Sequence, residues 1–120
     1  MTWNLFIDDE RNPEDVTWAP WQVREKYRNE EWVVARNMWE VQSQMISHGA
    51  FPSFVSFDHD LGENQPSGHE IAKYMVDVDM MKETTGIPEN FDFYVHSKNV
   101  VGAKNIKSYL ENYLVFKNSE

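Results

Sequence analysis

Apolar residues gather in four short runs along the chain, at residues 3–7, 32–35, 54–57 and 91–95, and none of the four has a helical period. Between the runs the rhythm changes. Val23 with Tyr27, then Met38, Val41, Met45 and Ile46, then Ile71, Tyr74, Met75 and Val78, recur at three- and four-residue spacing. Val100, Ala103, Ile106, Tyr109, Leu110, Tyr113 and Leu114 do the same after the last run. That spacing puts each set on one face of a helix, while the compact runs read as buried strands. Local signals set the boundaries. Pro20 opens a first helix that runs to about Asn29. The second starts at Asn37 and closes at His48-Gly49 with a glycine stop. Ser67 with Glu70 three residues on forms a capping-box pattern at the start of the third, which fades near Lys82 ahead of Gly86-Ile87-Pro88. Residues 8–15, which include Pro13, and residues 61–66 are polar and read as loops.

Strand and helix therefore alternate four times. Such alternation specifies an α/β fold whose parallel strands are joined by right-handed helical crossovers covering both faces. The expected architecture is a flavodoxin-like three-layer sandwich with a short parallel sheet of about four strands in the order 2-1-3-4. A chain of 120 residues suits one domain, residues 1–120, with a real core and no room for a second.

In this order strands one and three lie side by side at the switch point, and ligands bind there, outside the carboxyl ends of the strands. Asp8 and Asp9 follow strand one, Asp58-His59-Asp60 follows strand three, and His96-Ser97 follows strand four. Carboxylates crowded together stay ionised only around a cation. Magnesium takes one or two carboxylates, several waters and a substrate phosphate, so Asp8, Asp9 and Asp58 are the expected ligands of a divalent metal, Mg or Mn. His59 and His96 are expected to act there as general acid or base or as metal ligands. Ser97 can donate to a phosphoryl oxygen, and Asn99 can do the same or cap the last helix. The start of that helix, near Val100 and Gly102, offers free N–H groups to a phosphate. Arg11 can fork onto a phosphate or form a surface salt bridge, and Lys98 is the other nearby cation. His48, at the opposite edge of the sheet, is expected to be structural.

Composition narrows the range of partners. The formal charge of −9 argues against nonspecific DNA binding and against an anionic membrane surface. With no cysteine there is no disulfide, thiolate metal site or Cys nucleophile. The first residues carry neither a basic start nor an apolar signal core, and no apolar stretch is long enough to cross a bilayer, so the expected location is the cytoplasm.

The same residues resemble the response-regulator receiver fold, in which an acidic pair after strand one and an Asp after strand three bind magnesium and that Asp accepts a phosphoryl group. Asp8-Asp9 matches the pair, Asp58 to Gly62 resembles the Asp-x-x-Leu-Pro turn with Gly62 in the place of proline, and Ser97 matches the Thr or Ser ending receiver strand four. Receivers place an essential Lys after a fifth strand; the pattern here yields four strands, and Lys117 lies too close to the last helix to fill that role. A narrower resemblance, covering nearly the whole chain, is to the cyclic-phosphate-processing receiver family. It rests on residues 5–11 and 56–62, Ser67-Gly68, and Val95-His96-Ser97 with Asn99, Gly102 and Asn105. The distinguishing histidines of that family are matched by His59 and His96.

The resemblance implies a metal-dependent phosphoesterase acting on cyclic phosphates, either RNA 2′,3′-cyclic phosphate ends or cyclic nucleotides. Asp58, His59 and His96 would be catalytic, Asp8, Asp9 and Asp58 would hold the metal, and Arg11, Ser97 and Asn99 would bind substrate. Two alternatives stand beside it: a receiver phosphorylated on Asp58, and a non-catalytic acidic protein that binds a protein partner or a nucleotide, with Trp18 and Trp21 as an exposed patch.

Overall fold

The computed structural model describes residues 2–81 and 86–119. Its elements are β1 (Asn4–Ile7), α1 (Trp21–Asn29), β2 (Val33–Ala35), α2 (Met38–His48), β3 (Phe54–Phe57), α3 (Gly68–Met81), β4 (Asp92–Val95) and α4 (Val100–Asn118), with a 3-10 turn at Pro13–Asp15. The four strands form one parallel sheet in the order β2-β1-β3-β4. Leu5 aligns with Val33 on one side and Val55 on the other, and Phe57 aligns with Ile7 and Val95. This is the α/β, flavodoxin-like arrangement that the alternation predicts, and the receiver-like one that the resemblance implies.

β1 and β3 are the inner strands and are buried at every position. Successive side chains on a strand point to opposite faces. Leu5, Ile7, Val55 and Phe57 thus enter the larger core with Val41 and Met45 of α2, Ile71 and Met75 of α3, and Ile106 and Leu110 of α4. Phe6 points the other way, into a smaller cluster with Val16, Ala19 and Tyr27 of α1. One helix covers that second face and three cover the first.

β1, β2 and β4 start one residue inside the expected runs, and β3 starts at Phe54 as expected. Trp3, just before β1, accepts from the Ser53 amide (2.9 Å) through its carbonyl, while its indole N–H donates to the Ala50 carbonyl (3.0 Å) and its ring stacks on His48 at 4.0 Å. His48 is thereby held at the end of α2, far from the acidic edge. Asn37 caps α2 by accepting from the Glu40 amide, and Gly49 takes the left-handed conformation (φ 64°) that closes it. Ser67 and Glu70 exchange the two bonds of a capping box at the start of α3. The expected end of that helix near Lys82 lies outside the described residues. Ile46 and Val100, both expected on buried stripes, are each 79% exposed. The inward stripes are instead Val41–Met45 in α2 and Gly102–Ile106–Leu110 in α4, and Ile46 and Val100 are rotated away from them.

The polar segment after β1 is pinned by Arg36, which follows β2. Its guanidinium donates to the Asp8 carbonyl (3.1 Å), the Arg11 carbonyl (2.6 Å) and Asn12 Oδ1 (2.7 Å). Ladder bonds continue one residue past the strands: Asp8 N–H to Ala35, Asp58 N–H to Ile7 and His96 N–H to Phe57. The sheet itself therefore sets the backbone positions of these three polar residues.

Candidate metal and phosphate site

Asp8, Asp58 and His96 converge at the carboxyl edge, each with a ligand-type atom within 4.8 Å of the others. All three side chains are buried. Above them opens a cleft of about 340 Å³ lined by Asp8, Asp9, Arg11, Asp58, Asp60, Ser97, Lys98 and Asn99 among others.

Asp8 is saturated. Its Oδ1 accepts from the Glu10 and Arg11 amides, both at 2.8 Å, while Oδ2 accepts from His96 Nε2 (2.9 Å) and from the Arg11 guanidinium (3.3 Å). A carboxylate offers about four acceptor positions, and here all are filled. Burial alone would raise the pKa of Asp8, but the bonds from His96 and the two backbone amides hold it well below the usual carboxylate range. Asp8 is therefore a fixed negative charge.

Asp58 has the opposite character. Burial and the neighbouring charge of Asp8 push its pKa up, and bonds from the His59 amide and the Ser97 hydroxyl offset this only in part. Its Oδ2 lies 3.9 Å from the same Arg11 nitrogen that touches Asp8. A cation already stands between the two acids, and it belongs to the protein.

His96 is wholly buried and stacked on Phe6 at 4.6 Å. Its Nδ1 lies 2.7 Å from Ser56 Oγ, and Ser56 Oγ lies 2.5 Å from the Tyr27 hydroxyl. Ionised Asp8 can only accept, so Nε2 carries hydrogen toward it. With the neutral imidazole, Nδ1 then accepts from Ser56, and Ser56 accepts from Tyr27. Burial pushes the Tyr27 phenol up, so that it stays protonated and able to donate at neutral pH. The four side chains form a directed chain of hydrogen bonds ending on Asp8. Toward the cleft, the imidazole hydrogen-bonds to Asp8, with Asp58 also within 4.8 Å.

His59 lies at the margin of the cleft. Its Nδ1 is 3.0 Å from Asp60 Oδ1, and its ring lies so close to Gly102 that an added Cβ would sit 2.4 Å from it. Asn99 caps α4 through the Gly102 amide (2.9 Å) and gives its own amide to Asp60 (3.1 Å). Asp9 lines the cleft from its rim, outside the tight trio. Gly68 permits the close approach of α3 to β3, since an added Cβ would lie 1.8 Å from the Asp58 carbonyl.

A sequence model of the cyclic-phosphate processing receiver domain matches residues 3–112, which takes in every residue of the site. The chain belongs to that family. No curated protein and no solved structure matches it. As a member of the cyclic-phosphate processing receiver family it carries the receiver's acids after β1 and β3, and it adds a histidine buried behind them.

The donor set suits a hard divalent ion: two carboxylates facing a polar cleft, with room for waters and a phosphate. Since Asp8 is full, the weakest of its bonds, the 3.3 Å contact to Arg11, is the one an arriving ion would replace. Arg36, Ser56 and Tyr27 were not marked by the sequence as parts of the site. Ser56 does leave a trace, as the one polar residue in the run at 54–57.

Proposed function

We propose that the cleft opens cyclic phosphodiesters, with RNA 2′,3′-cyclic phosphate ends or cyclic nucleotides as substrates. The observation that carries this reading is the pair of buried carboxylates, Asp8 and Asp58, sharing one cationic nitrogen in a chain of the cyclic-phosphate processing receiver family. Asp8, Asp58 and, from the rim, Asp9 would hold magnesium or manganese. The bound ion would polarise the phosphoryl group and make a water molecule acidic.

The protein's own groups divide the remaining work. Asp58, less heavily hydrogen-bonded than Asp8, would take a proton from the attacking water. Arg11 and Lys98 would hold the nonbridging oxygens, joined by the Ser97 hydroxyl once it turns from Asp58 to the phosphate. Water adds to phosphorus, one ring P–O bond breaks, and the leaving sugar oxygen takes a proton. His59, at the margin, would donate that proton, while His96 would orient Asp8 from behind. Asn99 acts through the α4 cap, keeping Ser97 and Lys98 at the cleft.

The test offers purified protein a 2′,3′-cyclic mononucleotide and an RNA ending in that group, with magnesium or manganese and with a chelator. Metal-dependent formation of the monoester is expected, reduced by about a hundredfold or more in Asp58→Asn. No turnover of either substrate, or turnover untouched by Asp58→Asn, would sink the proposal.

A second reading, phosphorylation of Asp58, draws on the position of its Oδ2 toward the cleft. A small phosphodonor would then leave a stable one-phosphate adduct in the intact mass, absent in Asp58→Asn.

A further inference from the structure

Trp18 lies in the loop before α1 and is 38% exposed. Its indole N–H already donates to the His96 carbonyl (2.9 Å), so no polar group draws the ring outward. The same bond fixes the indole to the end of β4, next to Ser97 in the cleft. The Lys98 ammonium lies 4.3 Å from the ring centroid and the Arg11 guanidinium carbon 5.0 Å. Arg11 and Lys98 are also cations of the acidic cleft. The aromatic ring and the phosphate-handling pocket thus share the same two side chains.

We propose that Trp18 is a stacking platform for the base of the ligand, so that the cleft takes nucleotides in preference to base-free sugar or polyol phosphates. This rests on the reading of the cleft as a phosphodiester site. A phosphate in the cleft attracts Arg11 and Lys98, and the exposed Lys98 chain is free to leave the indole for it. The ring surface thereby uncovered is electron-rich, rigidly held and within one residue of the phosphate ligands. Every nucleobase has a π-face, so stacking on an indole tolerates any base and gives selection for a nucleotide without selection for sequence. A cation–π contact alone explains why the two cations rest on the ring. It does not explain why a tryptophan with its N–H satisfied keeps part of its ring exposed beside a polar cleft.

The test compares two product-like monoesters that a diesterase leaves intact, adenosine 3′-monophosphate and the methyl riboside 3-phosphate that lacks a base. Each is titrated calorimetrically, with magnesium present, into wild type, Trp18→Leu and Trp18→Phe. Wild type is expected to bind the nucleotide roughly tenfold or more tightly than the base-free ester. Trp18→Leu should abolish that preference, read as the ratio of the two affinities, and Trp18→Phe should keep most of it. Equal loss for both ligands in Trp18→Leu would mean that the ring only holds the cations, and would overturn the platform. No wild-type preference for the nucleotide would overturn it as well. Binding of neither ester would overturn the reading of the cleft together with the platform.

Discussion

Nε2 of His96 lies 2.9 Å from Oδ2 of Asp8, with both side chains closed to solvent. The pair behaves as one unit, because Ser56 and Tyr27 complete the imidazole's hydrogen bonds from the far side. Substituting Ser56 by Ala leaves His96 Nδ1 and the Tyr27 hydroxyl facing each other without a partner between them. Unsatisfied buried groups of this kind cost about 2 kcal/mol. A group that orients a metal ligand typically changes affinity by roughly tenfold or more. Ser56→Ala is therefore expected to lower stability in urea unfolding and to weaken manganese binding in a calorimetric titration. Unchanged manganese affinity would separate the chain of bonds from the site.

Arg11 makes the opposite prediction for the metal. It fills the position between Asp8 and Asp58, so a divalent ion must displace it. Arg11→Gln should tighten manganese binding by about fivefold, the size expected for loss of a partly exposed ion pair. The same change should weaken binding of inorganic phosphate. Equilibrium titrations of the two ligands check both directions, and weaker manganese binding would refute the displacement.

Gly68→Ala is expected to be severe. The new methyl would sit 1.8 Å from the Asp58 carbonyl, a backbone atom with no freedom to retreat. Separation of α3 from β3 should cost about 3 kcal/mol. A denaturant titration that shows wild-type stability for Gly68→Ala would contradict the contact.

Stability should also depend on pH through Asp79, far from the cleft. This carboxylate is buried in α3 and accepts from the Ile87 amide (2.7 Å), the Tyr113 hydroxyl and Lys117. Burial would raise its pKa, but Lys117, Tyr113 and the Ile87 amide together hold it below the usual value of 3.8. A lowered folded pKa contributes stability above the unfolded value, and that contribution disappears as pH falls through the folded one. Asp79→Asn should be less stable than wild type at pH 7, with the gap narrowing as pH falls below 3.8. A gap that stays constant down to pH 3 would rule out the ionised carboxylate as its source.

The sheet and its order were legible because β1 and β3 are buried on both faces, and such strands read as unbroken apolar runs. The acids were legible for a related reason: Asp8 and Asp58 end those runs, and strand ends share an edge. Two details needed the structure. Arg11, read as a phosphate ligand or a surface salt bridge, does form a salt bridge, and its partners are the buried acids Asp8 and Asp58, from a loop that Arg36 folds. His96 sits at the expected edge but faces inward onto Phe6 and Ser56. Residue order places a histidine at the end of a strand; only packing tells which way its ring turns. The 79% exposure of Ile46 and Val100 has the same origin, since three- and four-residue spacing leaves the stripe's borders open by one position.

A divalent cation between Asp8 and Asp58 would show as anomalous difference density in crystals soaked in manganese. One peak is expected about 2.1 Å from a carboxylate oxygen of each, with the Arg11 guanidinium withdrawn from Asp8. A cleft without a peak and with Arg11 still seated between the acids, or a peak elsewhere on the surface, would contradict it.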